Sequence, residues 1–233
     1  MYFVYISVML FGILGGNWTP TQTLMLIVAF GLAILIALVI HEYAHAWAAL
    51  KQGDHTAKFA GRLTLNPAKH IEPLGLLCFC IVGFGWAKPV PVNPFNYRNF
   101  KRGNFWVSIA GVLMNLILGF IFSLGLFITW NYGSINGAFD SIYIWGLYHF
   151  FLFGMVVNLS LMIFNLLPIP PLDGYNLLRS FTKPNNGFMF FMRNNAMIVL
   201  ILVILFGGYF IMSVRAFFET TFLNFWGMVW GLF

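Results

Sequence analysis

Charge is scarce along this 233-residue chain: Asp, Glu, Lys and Arg together make up 8%, and only six residues are acidic. Set against 61% hydrophobic residues and a mean hydropathy of +0.86, that scarcity excludes a soluble domain with a polar surface and describes a polytopic membrane protein. The length allows about five or six spans and leaves little for extramembrane domains. Cysteine is nearly absent. Cys78 and Cys80 stand one residue apart in an apolar stretch, which suits neither a disulfide framework nor a four-ligand structural zinc site, so they read as packing residues. No Lys or Arg precedes the first apolar run and no small-residue cleavage site follows it, so residues 1–14 read as a short or tilted first span rather than a signal peptide. The net charge of +6 comes from basic residues clustered in loops, which report topology; no nucleic-acid motif accompanies them, and the partner surface they imply is a lipid bilayer.

Gly15, Gly16, Asn17 and Pro20 break the chain before a long helix expected over residues 22–50. From Lys51 to Asn104 eight basic residues appear (Lys51, Lys58, Arg62, Lys69, Lys88, Arg98, Lys101 and Arg102), and the positive-inside rule puts this loop in the cytoplasm. Within it, Thr56 to Leu65 is compatible with one or two brief strands. Leu74 to Ala87, followed by a proline-rich run, reads as a re-entrant or interfacial hairpin. Phe105 to Trp130 is a clear span, in which Gly111 and Asn115, four apart, form a small-to-polar pair suited to close helix packing with a hydrogen bond. Ile142 to Leu167 returns as a helix carrying His149, Asn158 and Asn165. Asn158 and Asn165 share a face, whereas His149 lies about half a rotation away and suits packing better than metal binding. Prolines 168, 170 and 171 end that helix, and a short helix is expected through Arg179. Met197 to Met212 is another span, and Ala216 to Phe233 is either a last crossing or an interfacial helix. The expected fold is an all-α polytopic membrane protein with about six membrane-embedded helices and a small β or re-entrant hairpin in the cytoplasmic loop. It forms one domain over residues 1–233, with its core at about 22–180 and C-terminal helices at 194–233.

One pattern stands apart. His41–Glu42–Tyr43–Ala44–His45 closes a run of 17 residues, Leu24 to Ile40, that carry no charge. Positions four apart on a helix differ by about 40°, so both imidazoles can face one ion, with the Glu42 carboxylate placed to take a proton from water there. Ionisable groups at membrane depth are costly and therefore functional suspects. A catalytic metal keeps three protein ligands, so a third is needed. Asp140 falls on the far side of the membrane. Asp54, His55, His70 and Glu72 lie in the basic loop, where solvated roles are the default, and the side of Glu219 is open. Asp173 follows the other outward-to-inward helix and is the best-placed candidate.

These residues, together with Asn165–Leu166–Leu167–Pro168–Ile169–Pro170–Pro171–Leu172–Asp173–Gly174, resemble the site-2 protease family of intramembrane zinc metalloproteases. The likeness spans about residues 22–180 and includes the Gly111-to-Asn115 pair and the loop Gly85 to Asn93. It is closest to the compact bacterial branch without PDZ or CBS domains. It implies one Zn²⁺ on His41, His45 and Asp173, Glu42 as the water-activating base, and Asn165 as a group holding the substrate carbonyl or its oxyanion. Asn165 is also readable as a buried asparagine bonding a neighbouring helix, and Asn115 as a packing or a substrate-contacting residue. Trp86, Lys88, Pro89 and Val90 belong to a stretch that either pairs with an unwound substrate or covers the site. The implied activity is hydrolysis of peptide bonds in or near membrane spans, with an active site near the cytoplasmic face of the cell membrane. The implied substrate is a single-span membrane protein: an anti-sigma factor, a tethered transcription factor or a signal-peptide remnant. The alternatives are a membrane zincin using a distant Glu, for which Glu72 and Glu219 are poorly placed, and a non-catalytic metal-binding protein or transporter, which would not need Glu42.

Overall fold

The computed structural model describes residues 12–13, 15–75, 87–183 and 186–231. Most of the expected first span, Cys78, Cys80, Trp86 and the body of the expected hairpin lie outside the described residues. Seven α-helices have both ends among the described residues: α1 (Pro20–Gln52), α2 (Thr56–Phe59), α3 (Phe100–Asn136), α4 (Ile142–Asn165), α5 (Asp173–Arg179), α6 (Gly187–Phe206) and α7 (Gly208–Val229). Among the described residues α1, α3, α4 and α6 are long and apolar enough to cross a membrane, which makes this a multi-pass membrane protein.

Helix α1 starts where its sequence says it should. Gln22 N–H donates to Thr19 Oγ1, Thr19 N–H donates to Gln22 Oε1, and Pro20 occupies the first turn, where its missing N–H costs nothing. It stops at Gly53, whose φ of +104° only glycine adopts readily. Its buried stripe repeats every fourth residue: Ala29, Ala33, Ala37, His41, His45, Ala49. Small side chains on this stripe let neighbouring backbones approach closely. The two histidines continue the stripe and therefore face protein rather than lipid.

Helices α3 and α4 complete the layer around that stripe. Gly103, Val107, Gly111, Asn115 and Gly119 form a matching buried row on α3, again every fourth residue. The central core is built from Val112, Phe122, Leu126, Met155, Leu159, Met162 and Ile163, with Ile211 of α7 closing one side. A second cluster joins Ala29, Phe30, Ala33 and Ala37 of α1 to Phe153 and Val157 of α4. Helix α7 packs on α3 and α4 and carries an Arg215–Glu219 ion pair at 2.9 Å, whereas α6 buries only Met189.

The basic loop differs from its expected form in one respect. Thr56 to Leu65 contains the short helix α2 and turns instead of strands. The reason is local: Asp54 accepts from both Thr56 N–H and Thr56 Oγ1, which bends the chain into a helical turn that β-propensity alone does not foresee. At the edges of the expected hairpin, whose body lies outside the described residues, Ile71 and Ala87 form an isolated antiparallel bridge.

Leu159 is fully buried, and its side chain lies against Gly119 of α3, so that a methyl group at Gly119 would meet Leu159 Cδ2 at 3.0 Å. Leu159→Ala is expected to cost about 2–5 kcal/mol, read as a lowered melting temperature in detergent. Ile121→Ala, on the exposed face of α3, is expected to stay within about 0.5 kcal/mol of the parent.

Candidate metal centre and active site

His41 and His45 project from adjacent turns of α1, with their Nε2 atoms 3.0 Å apart. Asp173, the first residue of α5, brings Oδ2 to 3.3 Å from His41 Nε2 and 3.2 Å from His45 Nε2. Asp173 reaches this point because α4 ends at Asn165 and the chain turns through Pro168, Ile169 and the cis Pro170–Pro171 peptide. Gly174 is buried against the end of α4, where a side chain would run into the Leu166 and Leu167 carbonyls. The far end of α5 is tied to α3 by Asn104, which donates to the Asn176 carbonyl and to Ser180 Oγ.

The protonation pattern of the imidazoles follows from their outer partners. His45 Nδ1 lies 2.7 Å from the Val107 carbonyl, which can only accept, so Nδ1 carries the hydrogen. His41 Nδ1 lies 2.6 Å from Asn115 Oδ1. The orientation of that carboxamide is fixed in turn. Asn158 Nδ2 donates to the Gly154 carbonyl, leaving Asn158 Oδ1 to accept from Asn115 Nδ2 at 2.9 Å, so Asn115 Oδ1 must face His41. Both histidines thus have Nδ1 engaged by an outer acceptor and direct Nε2 to the same point.

Two imidazole Nε2 atoms and a carboxylate oxygen therefore converge on one point. Asp173 Oδ2 is buried with no hydrogen-bond partner. A cation at that point is matched by all three. Tetrahedral bonds of ~2.0–2.1 Å to nitrogen place ligand atoms about 3.3 Å apart, close to the separations here. Nitrogen and oxygen donors of this kind, three in number, fit a zinc ion that keeps a position open. The only group of three or more His, Cys, Asp or Glu able to hold a metal among the described residues is this one.

Glu42 sits on the same turn of α1, and its Oε2 accepts from Val90 N–H at 2.9 Å. Val90 is buried against Ala46 and Ala57, whereas Lys88 and Pro89 beside it are exposed. Val90 therefore touches the site through its backbone. Asn115, read as a packing or substrate residue, turns out to orient His41, and Asn158 behind it was not singled out for the site at all. Asn165 donates to Leu161 O within α4 and makes no hydrogen bond to the cluster among the described residues. His149 bonds Trp145 O, away from the site.

Gly111 has no room for a side chain. A methyl group there would lie 2.5 Å from His45 Nε2 and 2.6 Å from His41 Cε1. Gly111→Ala is expected to displace both imidazoles and abolish stoichiometric metal binding. Asn115→Ala, which removes the acceptor that fixes the His41 tautomer, is expected to weaken metal affinity about 10–100-fold. Zinc titration of the purified chain with a competing chelator measures both.

The sequence profile of peptidase family M50 matches residues 29–208, which contain His41, Glu42, His45 and Asp173. The "Putative zinc metalloprotease YwhC" of Bacillus subtilis is 44% identical over 154 residues, 66% of this chain and 68% of its own length. Rip2 of Mycolicibacterium smegmatis, which carries the same description, is 30% identical over 178 residues, 72% of this chain and 64% of Rip2, so less than two thirds of that relative is spanned. MJ0611 of Methanocaldococcus jannaschii, also so described, is 26% identical over 163 residues, 69% of this chain and 74% of MJ0611. No solved structure matches significantly. With the profile covering well over half of the sequence and both halves of the metal centre inside it, this chain belongs to peptidase family M50, the site-2 protease family.

Proposed function

We propose that this protein is an intramembrane zinc metalloprotease that hydrolyses peptide bonds in or near the membrane spans of single-span membrane proteins. The observation that carries this reading is the convergence of His41 Nε2, His45 Nε2 and Asp173 Oδ2 beside the Glu42 carboxylate. A bound zinc supplies Lewis acidity at that point, lowering the pKa of water and polarising the substrate carbonyl. Glu42 accepts the proton from the attacking water and returns it to the leaving nitrogen. The Val90 N–H restrains one oxygen of Glu42, which leaves the other for this transfer. A metal held only for structure or for transport has no use for such a carboxylate.

Depth supports the same reading. His41 lies about 32 Å along α1 from its start, at a rise of ~1.5 Å per residue, against a hydrocarbon thickness of ~30 Å. The site thus belongs near one membrane boundary, and the basic residues of the 51–104 loop favour the cytoplasmic one. A helical substrate satisfies its own carbonyls and has to unwind before cleavage. The exposed residues Lys88 and Pro89 lie beside Val90 and could line the approach of an unwound substrate to Glu42. Trp86 and Asn165 are further candidates for holding it. A tethered anti-sigma factor, a tethered transcription factor and a signal-peptide remnant all meet these requirements.

Glu42→Gln is expected to retain zinc and to lower cleavage of a membrane-embedded reporter peptide by at least about 10³-fold. Asp173→Ala is expected to lose both zinc and cleavage. Undiminished proteolysis by either purified variant would refute the assignment. Membrane proteomics of cells expressing the parent against Glu42→Gln then identifies the substrate as a single-span protein that accumulates uncut.

A further inference from the structure

The irregular segment that touches Glu42 is poor in means to hold itself in place. Pro89, Pro91 and Pro94 lack an N–H, so residues 89–94 offer hydrogens only at Val90, Val92 and Asn93. Two of these three end on carboxylates: Val90 N–H on Glu42 and Asn93 N–H on Asp54, at 2.9 and 2.7 Å. Upstream, the segment is fixed at Lys88, whose N–H donates to His70 O and whose carbonyl accepts from Arg62 Nη2. Downstream, fixation falls on Asp54 and on Arg98 N–H, which donates to Gln52 O.

Asp54 is built for this task. It stands just past Gly53 at the end of α1 and has no exposed surface. Its Oδ1 accepts from Thr56 N–H, Thr56 Oγ1 and Asn96 Nδ2, while Oδ2 accepts from Asn93 alone. Burial by itself would raise its pKa, but the hydrogen bonds from Asn93, Thr56 and Asn96 outweigh that and hold it below the ordinary carboxylate value. The group is therefore an anion, and of only six acidic residues in the chain it is spent entirely inside the protein.

We propose that Asp54 is a positioning residue for Glu42: by holding the amide of Asn93 it fixes the segment whose Val90 N–H orients the Glu42 carboxylate. The assignment deepens the proteolytic reading and rests on it only for its kinetic arm. Asp54 is not part of the His41–His45–Asp173 cluster, so its effect passes through the backbone of residues 90–93.

The two oxygens of Asp54 separate this role from a purely local one. Asp54→Asn is isosteric but has a single acceptor. Placing that oxygen toward Thr56 and Asn96 keeps three of the four bonds and turns the amide hydrogens against Asn93 N–H, cutting the tie to the segment alone. Thr56→Ala does the reverse, removing one bond on the Oδ1 side and leaving Asn93 held. The test uses the full-length zinc-loaded protein in detergent, with residue-resolved amide hydrogen exchange and turnover of the reporter peptide. In Asp54→Asn the Val90 amide is expected to exchange about tenfold faster and kcat to fall about tenfold, with zinc stoichiometry unchanged. In Thr56→Ala both are expected to stay within about twofold of the parent. Unchanged exchange at Val90 in Asp54→Asn overturns the proposal. So does equal damage by the two variants, or loss of zinc from Asp54→Asn, either of which assigns Asp54 a general structural role. Exchange is read without substrate, so that arm decides the coupling even if the protein cleaves nothing.

Discussion

Two imidazole Nε2 atoms and a carboxylate oxygen held within 3.0–3.3 Å of one another set the terms for the rest of this fold. Bringing these polar groups together out of water is costly, and everything around them works to make that arrangement unavoidable. The Val107 carbonyl takes the Nδ1 hydrogen of His45, and a relay from His41 through Asn115 and Asn158 to the Gly154 carbonyl takes the other. These contacts join α1, α3 and α4, so the tautomers of the ligands and the packing of the three helices are one problem with one solution. Gly111 is where the layer closes most tightly, with backbone in the place of a side chain beside both imidazoles.

Much of this could be read beforehand. The spans α1, α3 and α4 follow from long apolar runs bounded by turn residues, and the bringing together of His41, His45 and Asp173 follows from loop charge and from the prolines that stop α4. The four-residue row Ala29–Ala33–Ala37–His41–His45–Ala49 was available as well, since it extends a small-residue stripe directly into the histidines. What escaped were contacts whose partners lie far apart in sequence. Asn115 pairs with His41 and Asn158, and no periodicity within one helix discloses which neighbour a carboxamide meets. Asn158 and Asn165 do lie on a common face by angle, but Asn158 sits in the packed middle of α4, while Asn165 at its end bonds back to Leu161. The turn at Thr56 escaped for a different reason, because a single buried carboxylate outweighed the strand preference of the residues after it.

The basic loop is more than a topological marker. Arg62, His70 and Asp54 are all buried, and each holds backbone of the segment that arrives at Glu42. A proline-rich segment without regular pairing has few N–H groups with which to hold itself, so it depends on anchors from outside. Polar groups usual on a protein surface are here turned inward, while Lys88 and Pro89 remain outward.

The placement of Asp173 on the seven-residue α5 gives the bound ion a second role. Asp173 and the histidines belong to segments separated by most of the folded core, with α3 and α4 between them in the chain. An ion held by both ends binds the folded arrangement and not the dispersed chain, so its binding free energy adds to that of folding. The ion that this site is suited to hold is thus also a clasp between the two ends of the core.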